Sequence, residues 1–273
     1  MGERAEVNGV TLAYEVAGAG PRLVWCHGLA SCMEGDRDLV DAFAERFTVL
    51  AYDARGHGDS SHVRDSAAFS YRELAADLAA LLDHVGWTGV VLAGSSMGAA
   101  TGARVACLRR DLAAALVMVR PAARGPGGAA PDWLRMLFAA GAHAIRTGGI
   151  EAAIQFLMSI PQAREELESA PARLEQLRRD WARHDPLSIA AALEGIPPTP
   201  PLADGLTPAM IECPTLVIPG NDLIHPAESG REVASLIPGA VLGRPFDGMS
   251  RADEVASLVE QVRGFLGAEE AAR

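Results

Sequence analysis

"TGVVLAGSSMGAATGARVACLRR", residues 88 to 110, reads as a strand, a sharp glycine-rich turn and a helix. "VVLA" is the strand, and residues 98 to 110 make the helix. Between them Gly94-Ser95-Ser96-Met97-Gly98 fits the pattern G-x-S-x-G. A serine at the apex of such a turn takes a strained backbone position that exposes its hydroxyl, and flanking glycines let strand and helix approach closely. The helix N-terminus behind it favours negative charge. On its own the match is weak, because small residues abound in this Gly- and Ala-rich chain; the strand and helix on either side are what strengthen it. The alternative is an ordinary glycine-rich turn. Ser95 precedes the apex and is read as a neighbour.

Working outward, the Asn8-Gly9 pair in "VNGVTLAYEV" signals a hairpin. "RLVWCHG" is a short apolar run suited to a buried strand, and a helical pattern around residues 36 to 46 follows it. "FTVLAYDARGHGDS" is another strand running into a loop. In "YRELAADLAALLDHVG", Leu74, Leu78, Leu81, Leu82 and Val85 share one helical face, with Gly86 as a stop. "LAAALVMVR" is the next strand. From about 121 to 208 the chain turns helical, with breaks at Gly148-Gly149, Pro161, Pro171 and Pro186. Strand and helix signals then resume with "CPTLVIPGND", a helix around 227 to 236, "AVLGRPF" and a last amphipathic helix carrying Val255, Leu258, Val259, Val262 and Leu266. This alternation predicts an α/β fold with a mainly parallel sheet flanked by helices, ligands gathering at the carboxyl ends of the strands. Residues 1–120 and 209–273 form the two parts of the core, and 121–208 an inserted helical cap.

Composition narrows the partners. With 273 residues, nearly half of them apolar, and a net charge of −11, the chain lacks the basic character that nucleic acid or an anionic membrane requires. The N-terminus "MGERAEVNGV" has no signal-peptide run, and no stretch of about 18 apolar residues suggests a span, so a cytoplasmic protein is expected. Cys26, Cys32, Cys107 and Cys213 lie far apart without zinc-like spacing and read as reduced, buried residues. No metal and no organic cofactor is expected, since neither a dinucleotide fingerprint nor HExxH is present.

Four pieces together, "HGLA", "DARGHGDS", "GSSMGA" and "PTLVIPGNDLIHP", resemble the α/β-hydrolase superfamily in content and order. The resemblance spans roughly 20 to 120 and 210 to 266. It implies Ser96 as nucleophile, the backbone N–H groups of Leu29 and Met97 as oxyanion hole, and Asp222 as the acid of the triad. His27 and His57 fall in motifs that the family uses structurally, and His62, His143 and His184 are expected as polar surface or cap residues.

One piece is missing. The family's base stands after the last strand, in "RPFDGMSRADE", where this chain has Met249. A thioether cannot accept the serine proton. Three readings are open. His225, three residues beyond Asp222 on the loop leaving the strand, takes the base role. Alternatively the substrate is a thioester or other activated acyl donor, whose thiolate (conjugate-acid pKa about 8.5) leaves without protonation; slow water activation would then favour transfer to a non-water acceptor. Or covalent chemistry is lost, leaving a lyase, cyclase or ligand-binding relative.

For the pocket, Arg120 at the end of "ALVMV" should face the same rim as Ser96 and anchor an anionic group, or else form a salt bridge to the cap. Trp133, Met136, Phe138, Phe156, Met158 and Trp181 recur at helical spacing in the cap, and Trp133 and Met249 are the expected apolar contacts to substrate. The combined expectation is serine-dependent acyl transfer or hydrolysis on an ester or thioester of an apolar or aromatic acid. The partner would be a small acyl substrate, presented free or on a carrier thiol.

Overall fold

The apolar runs and amphipathic stretches form eight strands and nine α-helices in a computed structural model, among the residues that it describes, 2–124, 128–169 and 171–271. Residues 125–127 and 170 of the expected cap span lie outside these. Asn8 and Gly9, at φ 48° and 76°, close the tight turn between β1 (Glu3–Val7) and β2 (Val10–Ala17). Such two-residue hairpin turns need positive φ at both central positions, which Asn and Gly tolerate.

The remaining strands are β3 (Arg22–Cys26), β4 (Thr48–Tyr52), β5 (Val90–Ser95), β6 (Ala113–Val119), β7 (Thr215–Ile218) and β8 (Val241–Leu242). They join one sheet in the order β1-β2-β4-β3-β5-β6-β7-β8. Pairings among β3 to β8 are parallel, while β1–β2 and β2–β4 are antiparallel. The order in which parallel strands are added along the sheet reverses at β3, between β4 and β5. That reversal opens a crevice at the strand ends, where α/β sheets bind ligands.

Both sheet faces are buried, so the central strands are apolar throughout. In β3, Val24 and Cys26 pack to one side with α2 (Tyr71–His84) and α3 (Met97–Leu108). Leu23 and Trp25 pack to the other with α1 (Arg37–Ala44) and α9 (Arg251–Ala271). The expected helix faces are the buried ones: Leu74, Leu78, Leu81 and Leu82 of α2 are at most 2% exposed. Each such leucine removed from water contributes about 1.5–3 kcal/mol. The helix α8 (Ala227–Leu236) packs beside β7.

Between β6 and β7 the chain is helical: α4 (Asp132–Ser159), α5 (Pro161–Ser169), α6 (Pro171–Trp181) and α7 (Pro186–Gly195). The prolines begin helices, where a missing N–H costs nothing. Gly149, at φ 73°, kinks α4. Ala142, Ile145, Ala153, Ile189, Ala190 and Leu193 of this insertion build a small core that closes over Ala30, on the loop after β3. No described helix is long and apolar enough to cross a membrane.

Candidate active site

Ser96 occupies the turn between β5 and α3 at φ 51° and ψ −108°. A non-glycine residue held there carries roughly 1–3 kcal/mol of strain, which persists only where the surroundings enforce it. The surroundings do so by close packing. A Cβ on Gly98 would lie 2.0 Å from the Cys26 carbonyl oxygen, and one on Gly94 2.7 Å from the Gly98 carbonyl carbon. Only glycine at both positions lets β3, β5 and α3 converge this tightly. The Ser96 N–H donates to the Val119 carbonyl at 2.9 Å, fixing the turn to the end of β6.

An imidazole reaches Ser96 from the loop between β7 and α8. His225 Nε2 lies 2.9 Å from Ser96 Oγ. Its Nδ1 lies 2.9 Å from each carboxylate oxygen of Asp222. Because a carboxylate only accepts, Nδ1 carries the proton and Nε2 presents its lone pair to the serine hydroxyl. Asp222 Oδ1 also accepts the backbone N–H groups of Ile224 and His225, both at 2.9 Å. The carboxylate thus winds the loop around itself and sets the ring it orients. Burial opposes the Asp222 charge, but the His225 ring and amide, with Arg120 nearby, outweigh it and hold the acid down to about 2. Asp222, His225 and Ser96 therefore meet in one hydrogen-bonded chain although Met249 stands in the expected base position.

Met249 follows Gly248 in the β8–α9 loop, is 39% exposed and does not border the cavity at Ser96. Its expected place among the substrate contacts is corrected accordingly. The loop is tied down by Phe246, whose carbonyl accepts the Met249 N–H at 3.2 Å, and by a bond from Asn221 to Asp247.

The cavity beside Ser96 has a volume of about 210 Å³. Its apolar wall includes Trp25, Leu29, Leu39, Phe246 and Leu258. Besides Asp222 and His225, four ionic side chains line it: Asp36, Arg120, Arg251 and Glu254. Arg120 faces this rim, at φ 49°, with its guanidinium over the Phe246 ring. Its partner is Glu254 on α9, at 2.7 Å, rather than an acid of the insertion. Arg251 pairs with Asp38 at 2.8 Å and lies 3.6 Å from Asp36, which accepts the Trp25 indole N–H at 2.8 Å. These charged residues in the lining depart from the apolar pocket expected of the sequence.

Trp133 is also corrected. It is 44% exposed on the first turn of α4 and does not border the cavity, and Met136 beside it is 72% exposed. Helical spacing alone placed both inward; the insertion's buried stripe instead runs through Leu134, Ala142 and Ile145.

The loop after β3 faces the nucleophile: a Cβ on Gly28 would lie 3.7 Å from the Ser96 Cβ. Neither the Leu29 nor the Met97 N–H donates to an acceptor among the described residues. Three buried histidines surround this loop. His27 and His57 serve backbone groups, as expected: His27 Nε2 accepts the Ala54 N–H at 3.0 Å, and His57 Nδ1 donates to the Arg55 carbonyl at 2.8 Å. His184, expected as a polar surface or cap residue, is 5% exposed and packs edge-on to His57. A single histidine in a polar, helix-ending stretch carried no sign of that burial. Among the described residues, no group of three His, Cys, Asp or Glu side chains is arranged to hold a metal ion. The four cysteines are unpaired thiols, three of them buried.

Comparison with known proteins agrees with this architecture. A sequence stretch of 109 residues is 36% identical to a soluble epoxide hydrolase of Corynebacterium sp. (strain C12), covering 40% of this chain and 37% of that protein. Another of 132 residues is 35% identical to the sn-1-specific diacylglycerol lipase of Mus musculus, covering 46% and 42%. The chain thus spans about two fifths of the length of these curated relatives. The crystal structure of the enol-lactonase from Burkholderia xenovorans LB400 superimposes with a TM-score of 0.81 at 26% identity, covering 97% of this chain and all of that one. The model of the alpha/beta hydrolase fold family matches residues 21–248, and the chain belongs to that family.

Proposed function

We propose that this protein is a serine-dependent hydrolase of small carboxylic esters or lactones, acting through an acyl-enzyme on Ser96. The observation that carries the reading is the 2.9 Å contact between His225 Nε2 and Ser96 Oγ, with Asp222 on the opposite ring nitrogen. His225 takes the hydroxyl proton as Ser96 Oγ attacks the acyl carbon. The carbonyl oxygen becomes an oxyanion, received by the Leu29 and Met97 amides. His225 then returns the proton to the departing oxygen. Water, deprotonated by the same imidazole, attacks the acyl carbon, and the imidazolium returns that proton to Ser96 Oγ as the acid is released. Asp222 keeps the ring in the required tautomer and stabilises the imidazolium. Oxyanion donors of this kind are worth roughly 2.7–4 kcal/mol each at the transition state.

A base in contact with the nucleophile makes an activated thioester unnecessary, so hydrolysis of ordinary esters is favoured over transfer to a non-water acceptor. An enol-lactonase and a diacylglycerol lipase among the similar proteins support ester-bond chemistry. The small cavity with its ionic side chains favours a short acyl group bearing polar atoms over a large aromatic one. The test is incubation with a fluorophosphonate followed by peptide mass spectrometry. A single adduct on Ser96, absent from Ser96→Ala, is expected, together with turnover of a short-chain p-nitrophenyl ester. An unmodified Ser96, with ligand conversion surviving Ser96→Ala, would replace this reading with a noncovalent one.

A further inference from the structure

Ala30 is the residue after Leu29, and its backbone sits in the left-handed region at φ 60°. Alanine does not hold that conformation by preference. Both of its buried polar groups are bound by imidazoles from elsewhere in the chain. Its N–H donates to His57 Nε2 at 3.3 Å. Its carbonyl lies 3.2 Å from His184 Nε2. The tautomer of His184 follows from its other nitrogen: Nδ1 accepts the Gly58 N–H at 2.9 Å, so the proton is on Nε2 and points at the Ala30 carbonyl.

His184 is carried by the helical insertion, in the short link between α6 and α7. That link is itself seated on the core. Asp185 caps α7 through the Ser188 N–H at 2.9 Å and pairs with Arg64. Ser188 Oγ accepts the Val63 N–H at 3.0 Å. The insertion's small core also closes on Leu29 and Ala30 directly. His184 thus holds the Ala30–Ser31 peptide, whose Ser31 N–H donates at 3.1 Å to the Gly28 carbonyl. That carbonyl belongs to the peptide that carries the Leu29 N–H, so the seat of the insertion and the direction of the Leu29 amide are joined through one imidazole.

We propose that His184 is a positioning residue: by holding the Ala30 carbonyl it aims the Leu29 amide at the oxyanion, so that the oxyanion hole is complete only while the helical insertion is seated. This rests on the acyl-enzyme reading, but its hold on the loop can be measured without any turnover. His184 touches no reacting atom. Its loss therefore withdraws stabilisation from the transition state and leaves ground-state binding in place.

The experiment compares His184→Ala with His184→Asn in the full chain. Asparagine keeps one acceptor for the Gly58 N–H and one donor for the Ala30 carbonyl. With a short p-nitrophenyl ester, His184→Ala should lower kcat by about tenfold or more while KM stays within about threefold, and His184→Asn should recover most of the loss. Affinity for a trifluoromethyl ketone, which forms a tetrahedral oxyanion on Ser96, should fall in step with kcat. Amide exchange in residues 28–31 should accelerate in the alanine variant and return towards the parent rate with asparagine. An alanine variant with parental kcat and parental exchange, or equal losses in both variants, overturns the proposal. If the parent protein fails to react at Ser96, the acyl-enzyme reading falls, and the exchange comparison still decides whether His184 holds the loop.

Discussion

A Cβ added to Gly220 would lie 2.5 Å from the Cβ of His225 and 2.4 Å from its carbonyl oxygen. Gly220 stands just after β7, and His225 returns to the same point at the far side of the loop that Asp222 organises. The backbone of Gly220 is not left-handed, so alanine would meet no conformational penalty there, only this collision. Gly220→Ala should therefore push the imidazole off the Ser96 hydroxyl. A displacement of this kind is expected to lower kcat/KM by about tenfold or more, and fluorophosphonate labelling of Ser96 should slow by a similar factor. Labelling at the parental rate would show that the loop can shift without moving its base.

The proposed base role of His225 is one of three readings that the missing histidine at position 249 left open. His225→Ala should cost about a hundredfold or more in kcat/KM, since it removes the group proposed to accept the serine proton. Met249→Ala should stay within about threefold of the parent, because that side chain faces solvent and does not border the cavity. Steady-state kinetics of the two variants on one ester decides the matter, and a loss below about tenfold in His225→Ala would remove His225 from the base role.

Much of this site could be read from residues in a row. Gly94, Ser96 and Gly98 fix a turn by their own chemistry, and Asp222 and His225 lie three residues apart in one loop, so local sequence was enough to nominate them. The contacts that sequence did not reveal join distant parts of the chain. Arg120 meets Glu254 across 134 positions and His184 meets Ala30 across 154, and neither pairing leaves a local signal. Trp133 failed for a different reason: helical periodicity says that one face of α4 is apolar but not which face the insertion covers. The hydrophobic pattern there is broad, with Leu134 buried while Trp133 and Met136 are exposed.

The Arg120–Glu254 pair bears on substrate choice. Both side chains line the cavity and are mostly buried, and Glu254 neutralises a guanidinium that would otherwise confront the acyl group. Glu254→Gln keeps the shape and removes the charge. It should lower KM for a short ester carrying a free carboxylate by about threefold to tenfold relative to its neutral isostere. Stability should fall by about 1–3 kcal/mol, the cost of leaving a partly buried charge without its counterion. Paired kinetics on the two esters and a urea unfolding curve measure both effects; an unchanged preference would mean that Arg120 stays screened from the ligand.

The buried histidines predict how stability responds to acid. Burial, with the neighbouring His27, pushes His184 down to about 4, and burial with His27 and His184 pushes His57 well below its usual value. Both rings accept a backbone N–H through one nitrogen, a role that a protonated ring cannot fill. The unfolded chain takes up these protons near pH 6.5 and the folded chain only lower, so between those values the unfolded state binds more protons. Stability is therefore full above about pH 6.5 and falls as pH drops, by about 1.4 kcal/mol per unit for each such ring. From pH 7 to pH 5, His184 alone should remove about 2 kcal/mol. Asp222 and Asp185, held down to about 2, keep their contribution throughout this window and lose it only in stronger acid. Urea unfolding at pH 7 and pH 5 should thus show a steep loss in the parent and a shallower one in His184→Asn, which has no ring to protonate. Equal slopes in the two proteins would mean that the ring at 184 already titrates in the folded state as it does in the unfolded chain.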